Sequence, residues 1–292
     1  MAECFYCFAD KPLTRAHLFQ KGFRKTIEDA TGGVFLSDSS VSHPGIVRAI
    51  KHGGDIRETK VTSLCEDCNN NWMNNIELAA ETAFSRLVSG EYAPSPHEFR
   101  KIAHWAVVFA ALSSELHPKL QIPPSHRQAI RQGTLIPDGY STYVVWTKEH
   151  LVTVQSDLYR AVSASTNDSE VHWFHLLHLG SVVLITATPG LTPRVARVLN
   201  EANIHSALGF IGDSFVYVPQ EFQRAMTEGH RAEHQELFAL GPKIGNEASA
   251  FITTSNGIQV LDLSEGMQFG VADFSFDFGG QLFDYRQPPG SN

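Results

Sequence analysis

Downstream of Cys68, apolar residues recur at Met73, Ile76, Ala80, Ala83, Phe84 and Leu87. Steps of three and four residues put these side chains on one face of a 3.6-residue helix, so the pattern predicts an amphipathic helix from about Asn70 to Val88. The opposite face carries Asn70, Asn74, Glu77 and Glu81 at the same spacing, a polar stripe. Asparagine is a poor helix former. Capping explains Asn69 to Asn71, but Asn74 and Asn75 lie too deep in the helix to cap it. Ser95-Pro96-His97-Glu98 reads as a second helix start, with serine as N-cap, proline at the first helical position and glutamate three residues past the cap. The apolar residues that follow, Phe99, Ile102, Ala103, Ala106, Phe109, Ala110 and Leu112, are nearly continuous. They predict a buried central helix running to about Leu116. Shorter helices are expected over 125–132, 192–203 and 220–228.

Strand patterns occupy much of the rest. Leu13 to His17 predicts a short strand, and a basic segment follows it to Ile27. Gly32-Gly33 marks a break. Residues 34–64 are β-rich, with Ile46 to Lys51 and Ile56 to Leu64 flanking a hairpin turn at His52-Gly53-Gly54-Asp55. Beyond Tyr140, strand-like runs cover 143–147, 151–155, 158–164, 171–179, 182–187 and 210–218, then 249–254, 257–263 and 269–278. Gly90, Pro94 and Pro96 interrupt the periodicity and mark a boundary. The expectation is α+β: a small N-terminal module over 1–90, then a larger α+β domain over 97–292 with a mostly antiparallel sheet and the central helix packed on it.

A length of 292 residues suits two domains, and 42% hydrophobic with 18% charged residues suits a folded globular chain. No apolar run reaches the roughly 18 residues that span a bilayer, and Met1-Ala2-Glu3-Cys4 lacks the start of a signal peptide. A cytoplasmic protein without a membrane partner is expected. The net charge of −8 is uneven: residues 1–62 hold nine Lys/Arg against seven Asp/Glu, a net of +2, which leaves −10 for the remainder. That distribution allows a nucleic-acid surface on the N-terminal module.

The four cysteines form two CxxC pairs, Cys4/Cys7 and Cys65/Cys68, separated by 57 residues. Four thiolates in two tight turns suit a tetrahedral Zn²⁺, and the chain's size and lack of an export signal favour zinc over two disulfides. Cys4-Phe5-Tyr6-Cys7, then Pro12-Leu13-Thr14-Arg15-Ala16-His17-Leu18, then Leu64-Cys65-Glu66-Asp67-Cys68-Asn69-Asn70-Asn71-Trp72-Met73 resembles the zinc-knuckle branch of the HNH endonuclease superfamily. The resemblance covers about residues 4–80. It implies a ββα-metal module with a structural Zn²⁺ on Cys4, Cys7, Cys65 and Cys68. It also implies a separate catalytic Mg²⁺ or other divalent cation, DNA as partner, and a phage, mobile-element or defence setting. His17 matches the general base, Asn69 or Asn70 the final His/Asn position, and Glu77 on the polar stripe is an additional candidate. The acid that normally precedes the histidine is Ala16 here. No asparagine lies between His17 and Cys68, which leaves His43, His52 or a backbone carbonyl to orient the histidine. The expected function is a metal-dependent DNA endonuclease or nickase, with an inactive zinc module that binds nucleic acid or protein as the alternative. Residues 97–292 would serve target selection, regulation or homo-oligomer formation.

Other features carry less. His172, His175 and His178 do not converge from one strand, since His175 faces away from the other two. His104 is expected as a hydrogen-bonded, partly buried histidine of the central helix. Lys21, Arg24 and Lys25 suit phosphate contacts or a solvated face, and Trp72 suits packing over the zinc site more than base stacking. Neither a Gly-x-Ser-x-Gly nor a P-loop pattern is present.

Overall fold

The computed structural model describes residues 2–43, 46–89, 94–116, 121–133, 137, 140–161, 172–202, 207–211, 214–218, 250–254, 257–261, 274–278 and 281–285. The helix expected over 220–228 lies outside them. The fold is α+β.

The chain begins with a small ribbon, β1 (Ala2–Glu3) antiparallel to β2 (Asp10–Lys11). Strand β3 (Leu13–His17) follows, as its pattern predicts, and then α1 (Lys21–Thr31) forms over the basic segment. Gly32, at φ 74, ends α1 in the left-handed region and donates its N–H to the Glu28 carbonyl, the reason a glycine stands there. Next come β4 (Val34–His43), β5 (Ile46–Asp55) and β6 (Lys60–Cys65). The expected hairpin is displaced. His52-Gly53-Gly54-Asp55 is the end of β5, which pairs antiparallel with β4, while β6 pairs with β3 instead. The glycines are not a turn here: Gly53 lies opposite Leu36, and a Cβ on it would press to 3.2 Å from that leucine's side chain.

From β6 the chain enters a wide π-helical stretch, Asp67–Met73, that runs directly into α2 (Asn74–Val88). The expected helix is therefore present, but its first two turns are wider than α-helical, a rare form that concentrates at functional sites. Helix α3 (Pro96–Ser113) carries the full capping box, with Ser95 accepting from the Glu98 N–H and the Glu98 carboxylate accepting from the Ser95 N–H. A short 3₁₀ turn, Ser114–Leu116, and α4 (Pro124–Gln132) complete the helical part before the sheet.

The three runs expected between 143 and 164 are one strand, β7 (Ser141–Ala161), and the two that follow are one strand, β8 (His172–Ala187). Register shifts between Trp146 and Gln155, with Gly180 at φ 58 opposite Leu151, break the alternation without ending the pairing. Helix α5 (Thr192–Glu201) and the hairpin β9 (Ala207–Ile211)/β10 (Ser214–Val218) follow. Two further hairpins, β11 (Ala250–Thr254)/β12 (Gly257–Leu261) and β13 (Phe274–Phe278)/β14 (Gln281–Tyr285), occupy the last third. The main sheet runs β10-β9-β7-β4-β5, with β8 also on β7. Its pairings are antiparallel except β4 with β7, which is parallel.

Strand β8 is buried on both faces, so it reads as a near-continuous apolar run. One set of alternate residues on β7 and β8 (Val144, Trp146, Trp173, Leu177, Leu184) belongs to the core that also contains α1, α2 and α3. The other set (Tyr143, Val145, Phe174, Val183, Ile185) packs with Val195, Val198 and Leu199 of α5. The larger core crosses the expected boundary at 90–97. Phe23 of α1 stacks on Trp105 of α3 at 4.5 Å, Phe19 lies 4.5 Å from Phe109, and Phe84 of α2 lies 4.8 Å from Trp105. The Tyr6 hydroxyl, inside the first cysteine knuckle, donates to the Val108 carbonyl of α3 at 2.6 Å.

Candidate metal centre

The first knuckle is the turn between β1 and β2. The Cys4 N–H donates to the Ala9 carbonyl, the Phe8 N–H returns to the Cys4 carbonyl, and Phe8 closes the turn at φ 58. Cys65 ends β6, and Cys68 sits in the π-helical turn that follows. The antiparallel pair β3/β6 sets Cys65 opposite Leu13, so the second knuckle lies at the start of the strand that ends in His17. The four Sγ atoms lie within 4.8 Å of one another, and Cys7 Sγ is 3.6 Å from Cys65 Sγ. A tetrahedral ion at a Zn–S distance of about 2.3 Å needs S–S separations of about 3.8 Å. The cysteines are not disulfide-bonded, and this group could hold a metal ion such as zinc. Among the described residues no other set of three or more His, Cys, Asp or Glu side chains converges in this way.

Burial shapes the thiols. It pushes Cys68 well up and raises Cys7. At Cys4 burial acts in the same direction, but N–H groups of Cys65, Cys7 and Tyr6 outweigh it and bring the thiol down to about 7. The Cys65 N–H donates to Cys4 Sγ at 3.3 Å. A bound cation would deprotonate all four. Around the thiols the cover is aromatic: Trp72 meets Tyr6 edge-on at 4.7 Å, so the indole packs over the site as expected rather than standing free.

The residues expected at the reacting centre separate into three settings. His17 ends β3, half-buried, opposite Lys60. Burial, then the charges of Arg24 and Lys60, lower its pKa from 6.5, with Glu58 acting weakly the other way. Burial and these charges disfavour the imidazolium and favour the neutral imidazole. Asn69 does not cap the helix; its Nδ2 donates to Thr14 Oγ1 at 3.3 Å, and its carbonyl accepts from Gln20 Nε2 at 3.2 Å. Asn70 is exposed, and Asn71 donates to Asp67 at 3.0 Å. Ala16, at the position of the expected acid, is buried in the core beside Val61.

Compared with known proteins, the chain matches no family model, no curated protein and no solved structure.

Glu77 is the surprise of the polar stripe. It is only 5% exposed, because α1 packs across that side of α2. Its Oε1 accepts from Trp105 Nε1 and from the Gln20 N–H, both at 3.4 Å, while Oε2 is buried with no partner. Burial raises the carboxyl to about 8. Glu81 sits beside Gly22, where any Cβ would collide with its carboxylate. Helix α1 has no N-cap side chain of its own, and Glu77 of α2 accepts from the N–H of its N-cap residue Gln20. The two glutamates line one wall of a groove of about 960 Å³ that also includes Lys21, Lys25, Asn74 and His150.

The histidines of β8 serve the sheet: His175 Nε2 pairs with Ser156 Oγ at 2.7 Å and His178 Nε2 with the Gly180 carbonyl at 3.0 Å. His104 differs from expectation. It is buried with Nε2 unpartnered, and burial lowers it to about 4. Arg127 and Arg131 reach the cysteine centre from α4, a link that their spacing of four along a short helix does not announce. No described helix is long and apolar enough to cross a membrane.

Proposed function

We propose that the chain is an HNH-type endonuclease that nicks DNA, with His17 as the general base and Zn²⁺ on the four cysteines as a structural staple. One arrangement carries the reading: a half-buried imidazole at the end of a strand, opposite Lys60, its protonated form disfavoured by burial and by the charges of Arg24 and Lys60, in a strand–strand–helix unit whose turns converge on four thiols. An imidazole unprotonated at neutral pH takes a proton from water as the water oxygen attacks phosphorus, while the P–O bond to the leaving sugar oxygen breaks and that oxygen takes a proton from solvent. Arg24 and Lys60 offset the charge that grows on the phosphate oxygens. Arg24 is held for this by donating to the Arg57 carbonyl at 3.0 Å.

The resemblance implies a catalytic Mg²⁺ or similar ion. The described side chains do not fit one as a ready cage: no carboxylate cluster adjoins His17, and the positive groups around it oppose a cation. Asn69 and Asn70 remain the neutral oxygen donors nearest in sequence to that role. Glu77 is assigned to the fold, since its carboxyl is committed to Trp105 and to the start of α1.

A second reading, a zinc module that binds nucleic acid without cutting it, is favoured by Ala16, whose burial removes the family's acid from the site. Supercoiled plasmid incubated with the zinc-loaded chain separates the two, with Mg²⁺, Mn²⁺, Ni²⁺ or no added ion. Nicking supports the endonuclease, and the ion arms report its metal dependence. Retarded but uncut plasmid in every arm supports the binding module.

A further inference from the structure

We propose that Arg127 and Arg131 are the counter-charges of the tetrathiolate centre and set how tightly it keeps its ion. The inference rests on the metal reading of the four cysteines. A divalent cation with four thiolates carries a formal charge of −2, which two guanidinium groups balance. The two arginines stand four residues apart on α4, hence on one face of it. Each braces one knuckle. Arg127 donates from Nη1 to the Phe5 carbonyl at 3.0 Å, and its guanidinium lies 4.6 Å over the Phe5 ring and 5.1 Å over the Phe8 ring. Its charge is felt at Tyr6 and Cys4. Arg131 lies 4.9 Å over the Trp72 ring and faces Asp67 at 3.7 Å, close enough to the second knuckle to favour the thiolate of Cys68.

Both arginines are half-buried, and both leave a buried Nε without a hydrogen-bond partner. Withdrawing a cation from water to this degree is costly unless negative charge waits there. Nearby acids supply only part of that charge. Asp67 touches Arg131 only at the rim, with its side chain 54% exposed. Glu115 and Glu3 share the field of Arg127, but its hydrogen bond goes to the knuckle backbone. Arginine suits this place because its planar fork stacks on an aromatic ring and donates at its edge simultaneously. Groups that contact metal ligands from outside tune affinity and spectroscopy alike. The consequence is a dependence of the N-terminal metal site on α4, a helix distant in sequence.

The test uses the full chain loaded with Zn²⁺ or Co²⁺, comparing wild type with Arg127→Gln, Arg131→Gln, the double variant and Arg131→Lys. Zinc affinity is read by competition with a chromophoric chelator, and the sulfur-to-cobalt charge-transfer band reports thiolate electronics. Each glutamine is expected to weaken zinc binding about tenfold and the pair about a hundredfold, in line with other outer partners of metal ligands. The cobalt band should shift with charge removed, and Arg131→Lys, which keeps the charge but loses the planar fork, should hold the band near its wild-type position and recover part of the affinity. A loaded double variant, folded by circular dichroism, with wild-type affinity and an unmoved band overturns the inference alone. A wild-type chain that binds neither ion overturns the metal reading together with it.

Discussion

Glu77 illustrates how one residue can be legible in the sequence and still be assigned to the wrong surroundings. Its place on the polar stripe of α2 followed from periodicity, but α1, distant from it in the stripe's logic, covers that stripe and buries the carboxyl. The consequence is measurable. The folded carboxyl titrates near 8 against an ordinary 4.5, so below pH 4.5 both folded and unfolded chains hold the proton and stability is unaffected. As pH rises from 4.5 to 8 the unfolded chain releases its proton first, and stability falls; above 8 the loss is complete. Glu77→Gln should match wild type near pH 4 and exceed it at pH 7 by on the order of 3 kcal/mol, from about 1.4 kcal/mol for each pH unit above 4.5. Denaturant melts of both proteins at the two pH values check this. Equal pH dependence would return Glu77 to an exposed role. Ala16 shows the reverse case: its identity flagged a missing acid, and only the fold revealed that its side chain points into the core.

At the level of elements, local signals suffice where they are self-contained. The start of α3 needed only Ser95, Pro96 and Glu98, and all three act as predicted. Ser95→Ala should therefore lower stability by about 1 kcal/mol, the usual cost of losing a cap; a shifted urea midpoint with an unchanged slope is the expected signature. Strands β7 and β8 were fragmented in the sequence because bulges interrupt alternation while the ladder continues, with Gly180 resembling an end. The β4/β5 hairpin was misplaced for a related reason. Two glycines beside a histidine and an aspartate look like a turn, but they pair along β4, where Gly53 lies opposite Leu36 and Gly54 opposite Phe35. The asparagines at the head of α2 were open between capping and another role, and Asn69 bonds sideways to Thr14 of β3. That contact depends on the β3/β6 pairing, which no local pattern announces.

On the scale of the whole molecule, the two segments separated at 90–97 in the sequence share one core. Aromatic side chains from α1, α2 and α3 interlock, and Tyr6 ties the first knuckle to α3. Composition cannot reveal such sharing, because each segment has enough apolar residues to look self-sufficient. Metal loss should therefore be felt beyond the cysteines. Stripping the ion with a strong chelator should loosen Trp105, buried in α3, along with the N-terminal elements, since the binding energy of a structural ion is folding energy. Tryptophan emission and far-UV circular dichroism should change in one transition; a cooperative melt identical before and after verified metal removal would contradict this. The shared core also means that His17 is held by the body of the protein and not by the knuckles alone, as Leu18 and Phe19 anchor the end of β3 in that core. The direct test of the account is the single-turnover nicking rate of supercoiled plasmid by zinc-loaded wild type and His17→Ala, matched for metal content, from about pH 5 to pH 8. Because His17 titrates below its ordinary 6.5, the wild-type rate should be level from neutral pH upward, and His17→Ala should fall by roughly a hundredfold or more across that range. Equal rates for the two proteins, or no cleavage by either, would contradict it.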